Sequence, residues 1–164
     1  MKKQVKNKNT THEQSGFTLS EAMITVSILG ILSSIAVPNV YDRYQTSCQN
    51  QQQTYISQAS LQAQAYNDEY GSPAESWSDL DRISTLMGKS GPAKGDSFEP
   101  IDLPSCSYKL TATRDNYTYI FTANPTSNDS NYNIVSCINV ATGSSSIKKG
   151  NKDQSASTAD LKCI

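Results

Sequence analysis

The chain is 164 residues long, 36% hydrophobic and 18% charged, which is material for one globular domain at most. Its 14 basic and 15 acidic residues nearly cancel, and a pI near 5.8 argues against a nucleic-acid binder. His12 is the only histidine and lies in a Lys- and Asn-rich leader, so once that leader is gone Ser-His-Asp and Cys-His catalysis are excluded; no enzyme, metal or cofactor is expected.

The leader, residues 1–16, carries Lys2, Lys3, Lys6 and Lys8 against Glu13, a formal 4 − 1 = +3; from Phe17 onward the sum is 10 − 14 = −4. Between these regimes runs FTLSEAMITVSILGILSSIAV, Phe17 to Val37, interrupted by one charge, Glu21. As a helix it would extend roughly 31 Å, enough to cross a bilayer core. The basic flank holds the leader in the cytoplasm and sends the rest outward. Two cuts fit this layout. An ordinary signal peptidase would use Ser34-Ile35-Ala36 and release a soluble binding domain after Ala36. Alternatively, cutting between Gly16 and Phe17 keeps the apolar segment. Glycine before the cut suits close approach of an extended backbone to a protease cleft. A mid-membrane charge costs ~2.5–3.5 kcal/mol on insertion scales, so a retained Glu21 needs a partner, and the new amine of Phe17 supplies one.

The stretch Gly16-Phe17-Thr18-Leu19-Ser20-Glu21 resembles the processing signal of type IV pilins and their relatives. The resemblance implies removal of the leader by an inner-membrane prepilin peptidase, N-methylation of Phe17, and a role for Glu21 in assembly. Gly30 and Pro38 stand where that family often has a helix-loosening glycine and a kinking proline. The partners implied are other pilin subunits, the peptidase, and an assembly platform with its ATPase. The place implied is the bacterial inner membrane, with the head outside the cytoplasm, and then an extracellular filament. A pseudopilin of a type II secretion system shares the same N-terminus. Ser, Gly and Ala at 27, 30, 33, 34 and 36 would let such helices approach closely.

After the membrane half (17–38), an amphipathic half (39–70) is predicted. Tyr41, Tyr44, Cys48, Tyr55, Ala59, Tyr66 and Tyr70 fall on one stripe expected to pack, with soluble glutamines between them. Gly71-Ser72-Pro73 should end the helix. The head, 71–164, opens with a connector in which Ser76 to Met87 reads as a short helix capped by Ser76 or Ser78, with Leu80, Ile83 and Met87 on one face and Gly88 as its stop. Period-two patterning then predicts three strands. Cys106, Tyr108, Leu110 and Ala112 share a face of the first; a turn at Arg114-Asp115-Asn116 leads to Tyr117, Tyr119, Phe121 and Ala123 on the second. A loop covers 124–131, a third strand runs from Tyr132 to Ala141 with Ile134, Ile138 and Val140 inward, and 142–159 reads as a polar tail. The fold class is α+β: a long helix on an antiparallel meander.

Four cysteines in an exported chain imply two disulfides. Strand parity sets Cys106 facing Cys48, and places Cys137 on the outer face where Cys163 can cross, giving Cys48–Cys106 and Cys137–Cys163. The resemblance agrees with the second pair, since many type IV pilins close a C-terminal loop this way. Two disulfides favour a pilin over a pseudopilin, whose heads more often rely on calcium. Lys148, Lys149 and Lys152 read as a solvated loop tip; a DNA contact would rest on these three lysines without neighbouring aromatics, which is thin support.

Overall fold

The computed structural model describes residues 16–127 and 130–163; the leader up to residue 15, and Asn128 and Asp129 of the expected loop, lie outside them. Helix α1 runs Leu19–Tyr70. The chain forms two compact units, one ending at Asn39 and the other spanning Val40–Ile164. The first holds the apolar part of α1.

In the second unit, the rest of α1 is followed by α2 (Trp77–Asp81), a small ribbon of β1 (Met87–Gly88) and β2 (Gly91–Pro92), and an antiparallel sheet. That sheet takes β3 (Ile101–Asp102), β4 (Tyr108–Asp115), β5 (Thr118–Pro125), β6 (Ile134–Asn139) and β7 (Ser144–Lys149) in chain order, a five-stranded meander among the described residues. The long helix followed by an antiparallel sheet is the expected α+β arrangement.

Alternation in β4 and β5 builds the core. Tyr108, Leu110 and Ala112 of β4, and Tyr119, Phe121 and Ala123 of β5, are buried with Ile56, Ala59, Ala63 and Tyr66 of α1. Cross-strand register places Ala112 opposite Phe121 and Leu110 opposite Ala123, so small and large side chains alternate. Trp77 of α2 closes one end, with its ring edge-on to Phe98 and its indole N–H donating to the Glu99 carbonyl at 2.7 Å. The Tyr119 hydroxyl donates to the Ala74 carbonyl at 2.6 Å, and burial pushes its pKa up to about 12.

Several expectations are corrected. Tyr41, Tyr44 and Tyr70 are exposed, and the packed stripe of α1 runs instead through Gln45, Cys48, Gln49, Gln52, Ile56, Ala59, Gln62, Ala63 and Tyr66. Gln45, Gln49, Gln52 and Gln62 are therefore not solvated, whereas Gln51 is. Three of these amides donate to head carbonyls: Gln49 to Asn133 (3.0 Å) and Gly150 (2.8 Å), Gln52 to Ser105 (2.9 Å), and Gln62 to Ser84 (2.9 Å). The Asn133 carbonyl also accepts the Gly150 N–H, and at each of these carbonyls a long amide adds a hydrogen bond that an apolar side chain could not make.

The connector helix has Ser76 as its N-cap but stops at Asp81; Met87 lies in β1 and is exposed, and Leu86 takes the buried place assigned to it. Helix pairing there loses to the tight β1–β2 ribbon. Cys106 precedes β4 rather than standing on it, in a left-handed turn with Ser107 (φ 58° and 51°). The hairpin turn is Asn116-Tyr117, one residue later than expected, because Asn116 tolerates the required φ of 52°; Tyr117 is therefore exposed, not on the apolar face. β5 continues through Asn124 and Pro125, which were expected in the loop.

β6 is shorter than the third strand expected and is buried on both faces from Ile134 to Ile138. Its outer face is covered by the C-terminal segment. The largest error is the polar tail: 144–149 is β7, paired along β6 from Ser144 opposite Asn139 to Lys149 opposite Ile134. An edge strand exposed on its outer side needs little apolar patterning, so the serine run concealed it. Lys148 and Lys149 consequently sit in a strand, not at a loop tip.

Candidate functional site: the start of the apolar helix

The site is built by local rules. Gly16, Phe17 and Thr18 precede α1, and Thr18 caps it. The Thr18 hydroxyl oxygen accepts the Glu21 backbone N–H at 3.3 Å, while Glu21 Oε2 accepts the Thr18 N–H at 2.9 Å and its hydroxyl at 2.7 Å. This reciprocal arrangement is a capping box, which satisfies donors that the first helical turn leaves unpaired. A carboxylate here also meets the positive end of the helix dipole. Thr18 was not singled out from sequence, although the T-x-x-E spacing at 18–21 is the signal that would have found it.

Gly16 is exposed, and a Cβ built on it meets nothing within 4 Å. The backbone before Phe17 is open to a protease, and Phe17 itself is 80% exposed. From Leu19 to Val37 every side chain of α1 is exposed, including Met23, Ile24, Ile28, Leu29, Ile31, Leu32 and Ile35. A helix apolar on all sides is stable in lipid or among other such helices, not in water. By length and hydropathy it can cross a membrane.

Its hydroxyls are prepared for that medium. Thr25 donates to the Ala22 carbonyl (2.8 Å), Ser27 to Met23 (2.8 Å) and Ser34 to Ile31 (2.7 Å), so none of the three needs water. Ser27, Gly30 and Ser34 fall at i, i+3 and i+7 and make a small-residue stripe; a Cβ at Gly30 would meet only open space. α1 runs through both Gly30 and Pro38, and proline deprives the Ser34 carbonyl of its usual N–H.

Elsewhere the chain is tied into a head. Cys48 is joined to Cys106 and Cys137 to Cys163, with Cα separations of 5.7 and 6.0 Å. The C-terminal segment is further held by Asn133, whose amide donates to the Ala156 carbonyl (2.9 Å) and accepts the Ala156 N–H (2.7 Å). Lys149 Nζ donates to Asn50 Oδ1 at 2.8 Å, and Lys152 Nζ lies 3.2 Å from Asp42 Oδ2.

Residues 11–37 match the family model described as the prokaryotic N-terminal methylation motif, the prepilin signature shared by type IV pilins and pseudopilins. No curated protein and no solved structure matches the chain.

Proposed function

We propose that the chain is a structural subunit of a type IV pilus: prepilin peptidase cuts between Gly16 and Phe17, Phe17 is N-methylated, and subunits leave the inner membrane to polymerise through their N-terminal helices. The carrying observation is a methylation motif that leads into a helix apolar on every side, whose one charge stands a turn from the new N-terminus. In the membrane and in a fibre core, Glu21 is costly unless paired. The amine released by the cut supplies the opposite charge, from the same chain or from a neighbouring subunit.

Packing then exchanges lipid contacts for helix contacts, which the stripe of Ser27, Gly30 and Ser34 favours. Gly30 and Pro38 supply the points where the helix loosens, and the heads, closed by two disulfides, stay outside. The other subunits, the peptidase, and the assembly platform with its ATPase are the partners this reading requires. Two disulfides in an exported head favour the pilus over a type II secretion pseudopilus, which would use the same N-terminus.

Mass spectrometry of the mature N-terminus tests the reading. A chain beginning at methylated Phe17 is expected. A chain beginning at Val37 would overturn it in favour of a released soluble domain. Electron microscopy of a deletion strain then separates the filaments: loss of surface pili supports the pilus, and intact pili with failed protein secretion would transfer the subunit to a pseudopilus.

A further inference from the structure

We propose that the head carries a site for the phosphate-bearing headgroups of anionic lipids, formed by Arg43, Lys149 and Lys152 with Tyr41 and Tyr44 beside them; the proposal rests on the membrane stage of the reading above. The tertiary structure assembles it. Lys149 and Lys152 are distant in sequence from α1, but the Lys149–Asn50 hydrogen bond and the Lys152–Asp42 ion pair bring both ammonium groups against the first three turns of the helix inside the head. Arg43 lies seven positions before Asn50, hence within about 20° of it on the same helical face. Arg43 is exposed and has no ion pair among the described residues.

The cations gather against the trend of the chain, which is net negative from Phe17 onward. Asp42 is paired with Lys152, and Asp153 adjoins Lys152 in sequence. Acidic groups collect at the other end of α1: Asp68 and Glu69 on its last turns, and Glu75, Asp79 and Asp81 around α2. Three of those acids are paired, Asp79 with Arg82, Asp81 with Lys94 and Glu75 with Arg114, whereas Arg43 at the start of the head's helix has no ion pair among the described residues.

Chain reach connects that end to the bilayer. Asp42 follows Val37, the last residue of the apolar segment, by five positions, a span of at most roughly 18 Å in any conformation. When the segment is in a membrane, this cluster cannot be far from headgroups. The exposed tyrosines fit the same place. Tyr41 and Tyr44 are 47% and 57% exposed, in positions where an amphipathic ring sits at the membrane–water boundary. Lysine and arginine stems can also lie along apolar surface with their charges toward phosphate.

The test uses the full chain reconstituted in phosphatidylcholine bilayers doped with spin-labelled phosphatidylglycerol or spin-labelled phosphatidylcholine. The fraction of motionally restricted probe measures association. Wild type is expected to favour the phosphatidylglycerol probe. An Arg43→Gln/Lys149→Gln/Lys152→Gln variant should lose about five-fold in that association per cation removed, and high salt should weaken the wild type similarly. Asp42→Asn, which releases Lys152 without removing a cation, should strengthen it. Native fluorescence of Trp77, the only tryptophan, checks that each head is folded.

Equal probe association in wild type and the triple variant, with both folded and bilayer-retained, overturns the lipid site alone. Loss of wild-type protein from the bilayer on alkaline washing instead overturns the membrane reading beneath it. Duplex oligonucleotide binding that disappears in the triple variant while probe association is unchanged would overturn the lipid assignment in favour of a nucleic-acid site.

Discussion

In the proposed function, the Glu21 carboxylate serves two situations. In the uncut chain, Glu21 is held by the N–H and hydroxyl of Thr18. On the proposed reading, a cut after Gly16 would put an amine at the same end of the helix. Glu21→Val should still insert, since the segment becomes more apolar, and should still be cut, since Gly16 is untouched. Assembly should then fail or slow by an amount on the order of 3–5 kcal/mol per subunit, as when one member of a buried ion pair is removed. Comparing cleaved protein in the membrane with protein in sheared filaments measures this, and full polymerisation of the cleaved variant would refute the pairing role.

Gly150 leaves no room for a side chain. A Cβ there would collide with the Asn131 carbonyl oxygen and lie 2.7 Å from Asn133 Oδ1 and 3.0 Å from the Ala156 nitrogen. Its own N–H donates to the Asn133 carbonyl, and its carbonyl accepts from Gln49. Gly150→Ala should destabilise the head by about 1–3 kcal/mol, the usual cost of overpacking. Urea unfolding of the detergent-solubilised chain, followed through Trp77, would register it; an unchanged midpoint would show that the C-terminal segment yields.

At the scale of elements, α2 is the clearest electrostatic case. Burial alone would push the Asp79 carboxyl up, but the Glu75 N–H, the Ser76 hydroxyl and nearby Arg82 outweigh it and hold the group below its ordinary value of 3.8. A carboxylate depressed in the folded state contributes stability that is fully present above 3.8 and is lost as pH falls through the folded value. Asp79→Asn should therefore lower the urea midpoint at pH 7, and the gap to wild type should close as pH drops below that range. A gap that persists in acid would assign the effect to hydrogen bonding instead of charge.

The C-terminal segment is the element most dependent on a covalent tie. Cys137–Cys163 closes a separation of 26 residues, worth about 3.5 kcal/mol as loop-closure entropy. Replacing both cysteines by serine should cost about that much and expose the outer face of β5 and β6, where Ile120 and Cys137 line a cavity together with Thr158 and Leu161. Faster hydrogen exchange at Val135 to Cys137 than in wild type is the expected sign; unchanged exchange would show that Asn133 holds the segment unaided.

The molecule as a whole separates what one-dimensional pattern can carry from what it cannot. The apolar segment, its lone charge and the T-x-x-E cap depend on residues within a turn or two of each other, so their sequence determined a membrane-length helix and the chemistry of its first turn. Strands β4 and β5 were legible for the same reason: each has one wet and one dry face, and the period of two is written into the residue types. Gly71 and Ser76 marked their helix ends correctly because caps are local.

Tertiary structure alone decided the rest. Gln49, Gln52 and Gln62 are polar by composition yet buried, because carbonyls of distant loops face them and accept their amides. Tyr41 and Tyr44 share a stripe with Cys48, yet they stay 47% and 57% exposed, so helical periodicity overstated the packed face. β7 exists because β6 presents a free edge, and backbone pairing asks nothing of a serine side chain. Lys149 and Lys152 meet α1 only because that strand carries them there. Pattern determines an element when its burial is regular along the chain; when burial is supplied by a partner far off in sequence, only the folded arrangement determines it.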